Sequence, residues 1–172
     1  MDNLHALTVR GVKWAFCVSL CGSLAWAQTS AGKATPLIVG RWKLNAEKSN
    51  LRLPPDYLEI RQYDLRPDGF LVGLLITLNA RGYHYLQFTA RSDGKDYPEY
   101  SDQLMADMIA AGKPTPLTYA ERVIDDYVTE WTDKEAGKVT SQGKKTISKD
   151  RMTLTITVDG RPSSQARVYD RQ

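Results

Sequence analysis

The chain has 172 residues, with 23 Lys and Arg against 20 Asp and Glu, a formal net charge of +3 and a mean hydropathy of −0.42. The two signs are mixed along its length, so neither a nucleic-acid partner nor an anionic membrane surface is implied. Two cysteines and two histidines leave little material for thiol or metal chemistry.

The N-terminal residues read as an export signal. Arg10 and Lys13 are basic, Trp14 to Leu24 is uncharged and apolar or small, and Ala25-Trp26-Ala27 has the small-x-small pattern that signal peptidase accepts, making Gln28 the first mature residue. The uncharged run is shorter than the roughly 20 residues needed to span a bilayer, so no integral span is expected after cleavage. Cys21 follows Leu20 rather than a small residue, which argues against a lipoprotein. The expected location is periplasmic or secreted. Removal of residues 1–27 takes away Cys17, Cys21 and His5, leaving no disulfide, no thiol nucleophile and no histidine cluster for a metal. The remaining chain of about 145 residues suits one domain burying about two-thirds of its unfolded surface.

Residues 28–36 read as a flexible arm, and 37–172 as a single β-barrel-like domain. Ile38 to Leu44 alternates, with Ile38, Gly40, Trp42 and Leu44 on one face, the period of a half-buried strand. A long loop follows over 45–56, with Pro54 and Pro55. Tyr57 to Arg66 is a second strand, and Arg66-Pro67-Asp68-Gly69 a turn. Phe70 to Leu78 is apolar on both faces and calls for cover on both sides. Tyr83 to Arg91 places His84, Leu86, Phe88 and Ala90 together. The polar, aromatic segment Asp93 to Tyr100 reads as a loop at one barrel end, able to gate a pocket or meet a partner.

One helix is expected near 102–111, capped by Ser101 and stopped by Gly112 and Pro114. Its stripe of Leu104, Met105, Met108 and Ile109 is expected to cover the outer face of Phe70–Leu78. Strands then follow over Thr115 to Ile124, Tyr127 to Asp133, Lys138 to Ser148, Met152 to Val158 and Ser163 to Arg171, with Asp159-Gly160 as a hairpin turn. About nine sequential strands with short connections predict an all-β fold, an antiparallel up-and-down barrel or meander.

Gly40-Arg41-Trp42-Lys43-Leu44 resembles the G-x-W opening strand of the calycins, the lipocalins and fatty-acid-binding proteins. Arg167-Val168-Tyr169 is similar to the closing R-x-Y strand of fatty-acid-binding proteins. The chain also resembles a family of uncharacterised exported bacterial proteins in Gly40 to Asn45, Asp93 to Pro98, Ser148 to Asp150 and Tyr169-Asp170. The calycin resemblance implies a ligand cavity, a Trp42 plug at one barrel end with Arg167 stacked on it by a cation–π contact, or alternatively Arg167 and Tyr169 pointing inward to hold a ligand carboxylate. Strand polarity alone favours the reverse orientation, with Ala166 and Val168 inside.

His84 sits in an apolar row, where a histidine is usually a core or cavity residue. As a general base it would need an orienting carboxylate and a nucleophile, and no G-x-S-x-G stretch supplies the latter. Asp125 and Asp126 read as a turn. No phosphate loop, dinucleotide fingerprint or calcium loop is present, and no cofactor or metal site is expected. The tyrosines at 57, 63, 83, 85, 97, 100, 119 and 127 either line an interior or form an exposed recognition face. The sequence therefore points to a non-catalytic barrel binding a small, partly apolar or carboxylate ligand, with Arg167, Tyr169, His84 and Trp42 as the ligand-binding candidates. The alternative is an envelope structural or protein-interaction module, or an enzyme inhibitor, with a filled core.

Overall fold

A computed structural model describes residues 35–172. The export signal expected over 1–27 and most of the arm expected over 28–36 lie outside the described residues. Ten strands form in chain order: β1 Gly40–Leu44, β2 Leu58–Leu65, β3 Leu71–Asn79, β4 Gly82–Ala90, β5 Tyr97–Ser101, β6 Leu117–Val123, β7 Val128–Glu135, β8 Lys138–Ile147, β9 Thr153–Val158 and β10 Arg167–Arg171. Among the described residues one helix, α1 Asp102–Ala111, joins β5 to β6, and a single 3-10 turn, Ser163–Gln165, precedes β10.

Every strand pairs antiparallel with its sequence neighbours, and β10 returns to β1, so the sheet closes on itself as an up-and-down barrel. Closure removes the free edges an open sheet would expose. The all-β barrel expected from the alternation is thus the fold observed, with one strand more. That strand, β5, lies in the segment expected to be a loop. Pro98 masks it, because proline donates no ladder hydrogen bond and is rare inside sheets. Here Pro98 faces outward opposite Thr118, and β5 pairs over only a few residues on either side.

Cross-strand partners share a face, so the register fixes what points inward. Tyr63 opposes Gly73, Gly73 opposes Phe88 and Phe88 opposes Glu99. Tyr119 opposes Asp133, Glu121 opposes Trp131 and Thr129 opposes Lys145. Lys145 opposes Ile156, and Ile156 opposes Arg167. The row His84, Leu86, Phe88 and Ala90 faces inward as its alternation predicts. Gly73 is needed where it stands: a Cβ there would collide with the Phe88 ring, which stacks on Tyr119 with centroids 3.7 Å apart.

The barrel has two unlike ends. At one end Trp42 is fully buried, its indole N–H donating to the Ile38 carbonyl at 2.8 Å. The guanidinium over its ring, 4.3 Å from the centroid, is that of Arg171, not Arg167. Arg171 also donates to the carbonyls of Val39 at 3.1 Å, Leu37 at 2.6 Å and Arg151 at 2.8 Å, tying the start of β1 to the β8–β9 turn. The G-x-W glycine has a local reason: Gly40 has φ +134°, and a Cβ on it would lie 2.9 Å from Arg171 Nη1.

The helix belongs to the other end. Ser101 Oγ accepts from the Leu104 N–H at 3.3 Å, and Gly112 closes the helix in the left-handed region with φ 61°. Its packing corrects the expected cover. α1 contacts β4 and β5 rather than lying over β3, and Leu78 on the outer face of β3 stays exposed. The reason is local: Asp102 anchors the first helical turn to β4, accepting from the Tyr85 N–H at 3.0 Å and binding His84 Nδ1 at 2.8 Å.

Candidate functional site

The barrel interior is ionic as well as aromatic. Near the helix end, Glu59 is buried on the inward face of β2. Its Oε1 accepts from the Tyr169 hydroxyl at 2.5 Å, and its Oε2 accepts from the Tyr57 hydroxyl at 2.7 Å and from Arg167. Arg61 Nε donates to the Tyr169 oxygen at 2.9 Å, with its guanidinium 5.2 Å from that ring's centroid. Arg167 and Tyr169 therefore point inward, against strand polarity but in the orientation the fatty-acid-binding-protein resemblance implies. An internal carboxylate, Glu59, makes that inversion favourable by accepting from both. Burial pushes the Tyr169 hydroxyl up, and Glu59 adds to the rise against the opposing pull of Arg61.

A second cluster joins β6 and β8. Lys145 Nζ donates to Glu121 Oε2 at 2.9 Å and to the Tyr119 hydroxyl. The same carboxylate accepts from Tyr119 at 2.5 Å and, through Oε1, from Ser92 Oγ at 2.7 Å. The ammonium also lies 4.9 Å from the Tyr63 and Tyr119 centroids and 5.3 Å from that of Phe88, inside an aromatic cage. Burial would raise the Glu121 carboxyl, but Lys145 and the hydrogen bonds outweigh it and hold it below its ordinary value. The Lys145 ammonium moves up by the same pairing, which outweighs its desolvation.

Two further inward carboxyl groups are not answered in this way. Glu99 is 2% exposed and its Oε1 has no hydrogen-bond partner among the described residues. Burial, reinforced by the nearby Asp133 charge, pushes Glu99 up to about 8. Burial also raises Asp133 to about 6, against the pull of Lys145 and Arg61. Trp131, two residues before Asp133 on the same face, buries an indole N–H that likewise lacks a partner. A third unpartnered atom, Thr118 Oγ1, belongs to the outward face.

The structure separates the sequence-predicted site residues. Arg167 and Tyr169 meet at Glu59. Trp42 lies at the plugged end, sealed from solvent. His84 stands at the helix-end rim, half exposed, paired with Asp102 and apart from both ionic clusters. Asp102 is the orienting carboxylate that the sequence did not disclose. Burial would raise it, but the hydrogen bonds from His84 and from the Tyr85 N–H hold it low. No sequence motif marks the inward Glu59, Arg61, Glu99, Glu121, Asp133 and Lys145. Each occupies the inward phase of its strand, and that phase was the available signal. No protein-family model and no curated protein matches the chain.

Proposed function

We propose that the mature chain is an exported, non-catalytic β-barrel that binds a small, partly apolar molecule in its interior. The observation that carries this reading is the composition of the inward face, where the acidic Glu59, Glu99, Glu121 and Asp133 and the basic Arg61, Lys145, Arg167 and Arg171 interleave with Tyr63, Phe88, Tyr119 and Trp131. Buried ion pairs are a poor route to stability, since packed hydrophobic residues in their place are often neutral or better by about 1–4 kcal/mol. A barrel kept for its shape alone favours an aliphatic interior. One that must recognise polar atoms in an enclosed space needs convergent polar groups among apolar walls. The calycin-like strands at Gly40–Leu44 and Arg167–Arg171 support the same reading.

Titration with the neutral fluorophore N-phenyl-1-naphthylamine tests it. Leu75 faces inward between Arg61 and Leu86, so Leu75→Trp narrows the interior. Saturable one-to-one binding that is lost in a folded Leu75→Trp protein is the expected result. Absence of saturable binding, or binding unchanged in that variant, defeats the proposal.

A further inference from the structure

The interior sorts its polar groups into satisfied and unsatisfied sets, and the sorting names a ligand chemistry. Building on the ligand-binding reading, we propose that Glu99, Asp133 and Trp131 receive the polar head of the bound molecule, and that this head is an organic amine rather than a carboxylate.

The donors that would hold a carboxylate are already engaged. Arg167 and Tyr169 both donate to Glu59, and Arg61 donates to the Tyr169 oxygen. Lys145 is held by Glu121 and Tyr119. Glu59 thus occupies the place that the closing-strand resemblance would give to a ligand carboxylate. An incoming anion would have to displace it, leaving a buried carboxylate without partners, the costly outcome for any ion pair.

The carboxyl groups left over accept. Glu99 Oε1 is buried and unpartnered, and the Asp133 carboxyl makes no side-chain hydrogen bond or ion pair among the described residues. An ammonium donates up to three hydrogen bonds and accepts none, which suits this pair. Trp131 is an independent pointer. Its buried N–H, two residues from Asp133 on the same inward face, wants an acceptor, which a hydroxyl or carbonyl on the amine would bring. The interior already houses one ammonium in the same manner: Lys145 sits among three aromatic rings and a carboxylate. A ligand amine at Glu99 and Asp133 would repeat that chemistry with a molecule in place of a side chain.

The test uses a pair of probes with the same phenyl ring and two-methylene spacer and opposite charge, 2-phenylethylamine and 3-phenylpropionate, competing against N-phenyl-1-naphthylamine on the full mature chain. The amine is expected to compete better by about tenfold or more, the scale of one charge-assisted hydrogen bond. Glu99→Gln and Asp133→Asn should each reduce that preference, and native mass spectrometry should count one amine per chain. Equal or tighter competition by 3-phenylpropionate overturns the amine assignment while leaving interior binding intact. Competition by neither probe, with the naphthylamine still bound, overturns it as well and assigns Glu99 to a buried water only. Failure of the naphthylamine itself sinks the underlying reading instead. The wild-type comparison decides between these outcomes even if a variant does not fold.

Discussion

Arg171 does three jobs with one guanidinium: it covers the Trp42 ring, and it holds carbonyls on both the approach to β1 and the β8–β9 turn. Lysine cannot replace that planar fork. Arg171→Ala is expected to lower stability by about 2–4 kcal/mol, the sum of a desolvated cation–π contact and hydrogen bonds whose carbonyls become unpaired. A lower denaturant midpoint with an unchanged slope would register it. The same residue marks where the sequence could mislead. A stacking arginine was legible from the G-x-W strand, but three arginines follow residue 160, and the motif alone pointed to Arg167. The orientation of Arg167 and Tyr169 was obscured for a related reason. Alternation locates the core only when the core is apolar. Here the inward phase of β10 is Arg-x-Tyr-x-Arg, and only Glu59, more than 100 residues away in the chain, makes it an interior phase.

At the scale of elements, α1 is fixed at both ends. Ser101 caps it, Asp102 pins its first turn to β4 and Gly112 ends it. Ser101→Ala should cost about 1 kcal/mol, the usual value of a lost N-cap. Because the loss is local, hydrogen exchange should quicken over 102–111 while amides of β2 and β3 keep their protection. Cap and stop residues were visible in the sequence, so the helix was found with its boundaries. Its docking partner was not, because a single Asp–His–backbone junction set it and the stripe carried no such information. β5 is hidden in the sequence for the opposite reason. Its chemistry, Tyr97, Glu99 and Ser101 inward with Pro98 outward, is regular, but a proline inside a run reads as a break.

For the whole molecule, the interior charges make stability depend on pH. Glu99 moves from an ordinary value of 4.5 up to about 8 on folding, and Asp133 from 3.8 up to about 6. Between those limits the native state holds more protons than the unfolded chain, so stability falls as pH rises. This contribution is fully present below about pH 4 and is lost by about pH 8. Glu121, held low by Lys145, acts in the other direction and is lost as pH falls through its depressed value. Melting temperature is therefore expected to decline from mildly acidic to mildly alkaline pH, with Glu99→Gln flattening the decline above pH 6. An unchanged profile in that variant would place the titration elsewhere. A bound amine would reverse the sign, since it favours the ionised carboxyl and is held more tightly as pH rises.

The seam between β1 and β10 has a consequence in time. The strands that close the barrel lie at opposite ends of the described chain, and the Trp42–Arg171 plug spans nearly all of it. During synthesis, each hairpin from β2 to β9 can form as it emerges, yet the cylinder stays open until residues 167–171 are made. Late contacts between distant residues are the slow ones, and all-β chains of this kind fold in about milliseconds to seconds. A nascent chain thus has a built-in delay before it locks. That interval leaves it open to chaperones that bind only unlocked polypeptide.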